Sequence, residues 1–86
     1  MSKVKILYFA SLREKLGRAG EEIELPAGVA TVAALRSHLR SRDGTYESVF
    51  SEKVLLRAAV NQDMVQPSAA VKGGDEVAFF PPVTGG

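Results

Sequence analysis

The sequence contains no cysteine and only one histidine. Without cysteine the chain cannot form a disulfide, a cysteine-ligated zinc site, an iron–sulfur cluster or a thiol nucleophile. The one histidine, His38, has no second histidine and no group of carboxylates near it in the sequence. We therefore interpret it as an ordinary helix residue rather than a metal ligand or a general base, and we predict no metal site.

An excess of charge of one sign is also missing, since eleven basic residues face ten acidic ones and the net charge is +1. This balance argues against a nucleic-acid binder and against a polybasic membrane anchor. No apolar run approaches the length of a transmembrane helix. The opening segment 1–17 differs from a signal peptide because charged residues 13–15 end its apolar run, so we interpret it as a strand that enters a helix. The lack of cysteine fits a reducing compartment, and we expect a cytoplasmic protein.

The length of 86 residues allows one domain, and 45% hydrophobic with 24% charged residues is typical of a globular chain. A core of this size leaves little room for an internal active-site cavity, which argues against a self-contained enzyme. The glycine pair in "KGGDEV" (72–77) comes before a predicted strand rather than a helix, so it predicts a turn and not a phosphate loop. We expect no cofactor and no ATP site on the chain itself.

Two segments, 3–9 and 75–80, are apolar on both faces and are typical of central strands. Because a helix and a crossover lie between them, we predict that they pair in parallel in the middle of the sheet. Segment 21–28 alternates charged and apolar residues and predicts a half-buried strand. Segment 54–65 predicts a strand, a turn near 61–63 and a returning strand.

Segment 31–44 predicts the main helix, with Thr31 as its N-cap, one apolar stripe and Gly44 at its end. A shorter helix is predicted over 10–17, and a helical turn over 46–50. A mixed sheet with one main helix packed on one face is an α+β architecture of two layers. Among small folds this pattern is similar to the β-grasp, or ubiquitin-like, fold, and we assign residues 1–80 to it.

The chain ends in "FFPPVTGG", an unusual finish for a small domain. Pro81 and Pro82 have no backbone N–H, so the last strand cannot continue past Phe80, and the fixed φ of proline favours an extended chain. Residues 81–86 form a tail that reaches about 20 Å, at roughly 3.3 Å per residue. Its two terminal glycines have no side chains and can pass through a narrow channel. The pattern predicts an arm that delivers a terminal carboxylate into another protein, although a frayed terminus is the simpler alternative.

The segment "GDEVAFFPPVTGG" (74–86) closely resembles the C-terminus of the small, sulfur-carrier subunits of molybdopterin synthase. The resemblance extends to "KVKILYFASLRE" (3–14), to the helix that begins at Thr31 and to "AAVNQ" (58–62). Segment 41–57 is the least typical part, and Arg57 interrupts an otherwise aliphatic run.

The resemblance implies a β-grasp protein that acts as the non-catalytic sulfur donor of a two-component sulfurtransferase. An ATP-dependent activating enzyme would adenylate the C-terminal glycine, and a sulfur donor protein would convert it to a thiocarboxylate. The large catalytic subunit would then receive the tail and transfer its sulfur to cyclic pyranopterin monophosphate. Two small subunits would cap a dimer of large subunits in a heterotetramer.

The same resemblance assigns roles to individual residues. Gly86 would carry the reacting group, while Val83, Thr84 and Gly85 would position it behind the proline pair 81–82. Phe80 is implied as a docking residue.

Phe9, Arg13 and Met64 are expected to join Phe80 in a contact patch. The alternative for Phe9 and Met64 is packing in the core, and for Arg13 a solvated helix face.

Three other functions stay open on the sequence. The nearest is a sulfur carrier for thiamine or for tRNA thiolation. A second is a ubiquitin-like modifier that is joined to lysines through Gly86, and a third is an interaction domain with a disordered end.

Overall fold

A computed structural model describes residues 2–82 of the chain. Five strands lie in this range: β1 (Lys3–Tyr8), β2 (Gly20–Glu24), β3 (Arg57–Val60), β4 (Asp63–Val65) and β5 (Glu76–Phe80). Three helices accompany them: α1 (Ser11–Leu16), α2 (Val32–Arg40) and α3 (Gly44–Phe50). None of the helices within these residues is long and apolar enough to cross a membrane.

The strands form one mixed sheet in the order β2-β1-β5-β3-β4. Strand β5 occupies the centre, where it pairs in parallel with β1 and antiparallel with β3. Both other neighbouring pairs, β1 with β2 and β3 with β4, are antiparallel. The prediction that the first and last strands lie side by side and run parallel is therefore confirmed.

The helices cover one face of this sheet, and the hydrophobic core lies between the two layers. Strand residues Tyr8 and Phe79 are almost completely buried, and both contact Phe50 of α3. The ring centroids of Phe50 and Phe79 lie 5.3 Å apart in an edge-to-face arrangement, and those of Phe50 and Tyr8 lie 6.0 Å apart. Such aromatic pairs contribute about 0.5–1.5 kcal/mol beyond their buried area. Helix α3 therefore joins both central strands.

Helix α2 begins as the sequence predicts and ends earlier. The Thr31 hydroxyl accepts a hydrogen bond from the backbone N–H of Ala34 at 3.1 Å, so the predicted N-cap is confirmed. The predicted end at Gly44 is wrong, because α2 stops at Arg40. The Asp43 side chain accepts from two backbone N–H groups of the next turn, and Gly44 becomes the first residue of α3. The predicted helical turn at 46–50 is thus a complete helix.

A tight turn connects β3 to β4 and anchors the start of β5. Asn61 and Gln62 both have positive φ, 51° and 73°, which suits a two-residue hairpin of matching twist. The Asn61 side chain donates to Asp75 at 3.1 Å and accepts from the backbone N–H of Glu76 at 3.0 Å. Asp75 also accepts from the backbone N–H of Lys72 at 2.9 Å. These bonds fix where the central strand begins. The predicted strand at 54–65 starts only at Arg57.

The Glu21 cluster, which consists of the Glu21 carboxylate and the four side chains that donate hydrogen bonds to it, holds the outer strand β2 against the helical layer. Glu21, whose side chain is 11% exposed, accepts hydrogen bonds from the hydroxyls of Tyr8 and Tyr46 at 2.6 and 2.7 Å. Its second oxygen accepts from Arg42 at 2.8 Å and from Arg18 at 3.3 Å. Burial alone would raise the pKa of Glu21, but the bonds from Tyr8, Arg42 and Tyr46 outweigh burial and lower it. Burial and the bond to Glu21 raise the pKa of Tyr8.

We predict that the Glu21 cluster makes the free energy of unfolding decrease as the pH falls. Because the folded-state pKa of Glu21 lies below its ordinary value of 4.5, its stabilisation is present above that value. It is lost as pH falls through the folded-state pKa. Glu21→Gln should lower the free energy of unfolding at pH 7 by about 1–3 kcal/mol and flatten its decline in acid, measured by urea unfolding from pH 7 to 3.

Glu22→Gln is the matched control, because Glu22 is the next residue on β2 and is exposed. It should change the free energy of unfolding by about 0.5 kcal/mol or less. Equal effects of the two substitutions would contradict a special role for Glu21.

Candidate functional site

The sheet has one face that the described helices leave uncovered. Along β1, Val4, Ile6 and Tyr8 turn into the core, and the alternate side chains turn to this free face. Along β5, Val77 and Phe79 enter the core, so Ala78 and Phe80 belong to the free face. The alternation follows from the period of two in a β-strand.

Strand register divides the free face into a charged half and an apolar half. In the charged half, Lys3 pairs with Glu24, and Lys5 pairs with Glu22 on one side and Glu76 on the other. Opposite charges in neighbouring strands stabilise such pairs.

The apolar half is a row across four strands. Leu7 stands beside Ala78, Ala78 beside Ala59, and Ala59 beside Met64. Phe9 and Phe80 adjoin the row at the end where the tail leaves β5. We call these six residues the docking face: Leu7, Phe9, Ala59, Met64, Ala78 and Phe80.

The docking face is apolar and partly open to solvent. Phe9 is 47% exposed, Met64 is 58% exposed and Phe80 is half-buried. Ala59 and Ala78 are buried yet lie outside the core cluster. Core packing, the alternative for Phe9 and Met64, is therefore wrong.

The structure thus brings together three of the four residues predicted for a contact patch. Phe9, Met64 and Phe80 share the free face, whereas Arg13 is an exposed residue of α1 in the helical layer. That these residues contact a partner stays a prediction. Leu7, Ala59 and Ala78 were not predicted for the patch, although alternation along each strand marks them. The sequence does not align the strands, because register depends on tertiary pairing.

The root of the tail, where Pro81 follows Phe80, lies at the end of the docking face. Arg57, the first residue of β3, pairs with Phe80, the last residue of β5, and the Phe9 N–H donates to the Phe79 carbonyl at 3.2 Å. Strand β5 ends at Phe80, and Pro81 and Pro82 follow without backbone donors and half-buried. Residues 83–86, which include the predicted positioning residues Val83, Thr84 and Gly85 and the predicted reactive residue Gly86, lie outside the described residues.

The remaining features of the described domain have structural explanations. A cleft of about 370 Å³ lies between α2 and the β3–β4 hairpin. Two arginines line this cleft, and Arg36 is more buried than Arg57. Arg36 donates to the backbone carbonyls of Phe50, Ser51 and Val54, which fixes the end of α3.

Between residues 2 and 82, no three His, Asp or Glu side chains are grouped to hold a metal ion. His38 is half-exposed on α2.

Comparison with known proteins gives a consistent family. The model of the ThiS family matches residues 6–86. The molybdopterin synthase sulfur carrier subunit of Escherichia coli (strain K12) is 43% identical over 83 residues, which cover 96% of this chain and 99% of that protein. The corresponding subunit of Mycobacterium tuberculosis is 36% identical, with complete coverage of both chains.

Solved structures confirm the β-grasp prediction. A putative molybdopterin converting factor, subunit 1, from Pyrococcus furiosus superposes with a TM-score of 0.78 at 37% identity, covering 96% of this chain and all of that one. SAMP1 of Haloferax volcanii has a TM-score of 0.74 at 26% identity, covering 98% and 99%. Subunit 1 in a complex of subunits 1 and 2 of molybdopterin-converting factor from Helicobacter pylori has a TM-score of 0.64 at 21% identity, covering 98% and 99%, and shows the fold alone.

We predict that the two phenylalanines at the end of the parallel pair differ sharply in their effect on stability. Phe79→Ala should lower the free energy of unfolding by about 3–5 kcal/mol, because Phe79 is 1% exposed in the core. Phe9→Ala should lower it by about 1 kcal/mol or less, because Phe9 already contacts water. Urea unfolding measures both values. A loss at Phe9 as large as that at Phe79 would contradict the assignment of Phe9 to the free face.

Proposed function

The chain belongs to the ThiS family, and on that basis we propose that it is the sulfur-carrier subunit of a molybdopterin synthase. Curated relatives of that name match it over nearly their full lengths, as the Escherichia coli subunit does at 43% identity. The observation that carries the proposal is the position at which the last strand ends. The central strand β5 ends at Phe80, at the border of an exposed apolar face, and the sequence continues from there with "PPVTGG".

The proposed chemistry takes place on the carboxylate of Gly86. A carboxylate is a poor electrophile, so an ATP-dependent activating enzyme first adenylates it and releases pyrophosphate. A sulfide equivalent from a sulfur donor protein then attacks the acyl carbon, and AMP leaves. The resulting thiocarboxylate is a sulfur nucleophile made without any cysteine, in accord with a sequence that has none. The chain itself binds no cofactor in this proposal, and ATP is used by the activating enzyme.

Each tail residue has a proposed role that follows from the properties of its backbone. Pro81 and Pro82 stop the sheet and direct the chain outward, because neither can donate to the ladder. Val83 and Thr84 favour an extended backbone that a partner can pair with. Gly85 presents no side chain that could block a narrow channel. In the large subunit, the sulfur on Gly86 would replace an oxygen substituent of cyclic pyranopterin monophosphate. Water would then cleave the resulting thioester, so that the sulfur stays on the pterin for the dithiolene and Gly86 regains its carboxylate.

The docking face is the surface proposed for the large catalytic subunit. An exposed apolar patch beside a reactive tail fits a surface that is covered when the tail is inserted. The Helicobacter pylori neighbour was solved as a complex of subunits 1 and 2 of molybdopterin-converting factor, which supports a two-subunit arrangement. We propose a heterotetramer in which two small subunits flank a dimer of large subunits. Cytoplasmic location stays a prediction from the sequence.

A protein modifier is the second candidate function. SAMP1 of Haloferax volcanii, titled a small archaeal modifier protein, shares the fold at 26% identity. A modifier would form an amide between its terminal carboxyl group and a lysine, after the same adenylation. Sulfur carriers for thiamine or tRNA thiolation form the remaining alternative within the family.

We predict a covalent change at Gly86 alone when the chain meets its activating enzyme, ATP and a sulfur source. Intact-mass spectrometry should show a gain equal to sulfur minus oxygen, and fragmentation should place it on the terminal residue. Deleting Gly86, or adding one residue after it, should abolish sulfur transfer and leave the free energy of unfolding unchanged within about 0.5 kcal/mol. Sulfur transfer by either variant, or lysine adducts in place of the gain, would overturn the proposal.

We predict that Met64→Lys weakens binding to the large subunit because a charge would be buried in an apolar contact. The dissociation constant should rise at least about tenfold by calorimetry, as expected when an exposed apolar contact residue is replaced by a charge. Ser37→Lys is the control, since Ser37 is an exposed residue of α2 on the opposite layer. Equal binding by both variants and the unaltered chain would exclude the docking face as the contact surface.

A further inference from the structure

Arg57 introduces a positive charge into an apolar surface. It is the first residue of β3, and its Cα is paired directly with that of Phe80, the last residue of β5. Residues that face each other in an antiparallel pair have Cβ atoms about 4.5–5.5 Å apart. Its neighbour Ala58 belongs to the core cluster, so Arg57 turns to the free face. The backbone of Arg57 therefore stands beside the root of the tail, and the residue also borders the cleft between α2 and the β3–β4 hairpin.

The charge of Arg57 is not used inside the described domain. Between residues 2 and 82 the ion pairs involve Arg18, Arg40, Arg42 and Lys72, and Arg57 takes part in none of them. Arg36, by contrast, is bonded to three carbonyl groups. Arg57 is exposed, and no hydrogen bond of its side chain occurs within these residues. Its guanidinium remains available for a group outside the domain.

The position of Arg57 beside Phe80 excludes the reaction centre as the group that binds its guanidinium. Six residues in an extended chain span about 20 Å at roughly 3.3 Å per residue, so in an inserted, extended tail the terminal carboxylate would act far from Arg57. A phosphate of the pterin substrate or of an adenylate would lie near the tip of the tail and not near its root. The group that meets Arg57 must belong to the rim of the channel that receives the tail.

Covering the docking face also covers Arg57, and this constrains the partner. Burying a guanidinium without a partner is strongly unfavourable, whereas a carboxylate of the partner can accept two parallel hydrogen bonds from the guanidinium. We propose that Arg57 determines the specificity of docking, and that the cognate large subunit presents an Asp or Glu carboxylate to it beside the channel entrance. This inference rests on the proposed function, because it requires a large subunit that binds the docking face.

The test compares four variants in titrations against the purified large subunit. Arg57→Glu should raise the dissociation constant at least about tenfold, through repulsion of the partner's carboxylate. Arg57→Leu should also weaken binding, because the carboxylate would be buried without a partner. Arg57→Lys should fall between Arg57→Leu and the unaltered chain, since an ammonium lacks the planar fork. Arg40→Glu makes the same charge change in the helical layer and should bind within about threefold of the unaltered chain.

A rescue experiment identifies the partner's carboxylate. Each acidic residue near the channel entrance of the large subunit is changed to arginine in turn and titrated with Arg57→Glu. One reversal should restore binding to Arg57→Glu while weakening binding to the unaltered chain.

The inference is overturned if Arg57→Leu binds as tightly as the unaltered chain, or more tightly, because Arg57 would then be a solvated charge. It is also overturned if no reversal rescues Arg57→Glu. Failure of the proposed function looks different, since the unaltered chain would then neither bind the large subunit nor gain sulfur at Gly86.

Discussion

The parallel pairing of β1 and β5 is the constraint on which the rest of the structure depends. It places Tyr8 beside Phe79 in the core and Leu7 beside Ala78 on the free face. Parallel strands are buried on their covered face and need a long crossover, and here α2, α3 and the β3–β4 hairpin occupy that connection. Because both strands run the same way, the end of β1 and the root of the tail meet at one edge of the sheet.

The domain uses its few polar clusters to fix the position of this central pair. The Asn61–Asp75 bonds define where β5 begins, and the Glu21 cluster holds β2 beside β1. Arg36 secures the end of α3, which carries Phe50 against both central strands. In this way side chains far from Phe80 determine where the last strand ends. Stability and the position of Phe80 are linked by register rather than by direct contact.

The free face combines two requirements that usually conflict. An exposed apolar patch that includes Phe9 and Met64 favours association with another protein. The same patch favours aggregation, to which a domain of 86 residues with a small core and modest stability is vulnerable. The charged pairs around Lys5 border the patch on one side, and Arg57 stands at its opposite end. Charges at such positions disfavour non-specific pairing and select a complementary partner. In the proposed complex the apolar area would supply the contact, and the charges would decide which partner surface fits.

The sequence by itself determined the strand and helix pattern, the central parallel pair and the end of the last strand at Phe80, because period, capping and proline act locally. It misplaced the end of α2, since Gly44 suits either a helix end or the turn that Asp43 caps. It also left open whether Phe9 and Met64 face the core or solvent. Only the tertiary structure decided this, and it placed Arg57 beside Phe80, because cross-strand register depends on pairings between residues distant in the chain.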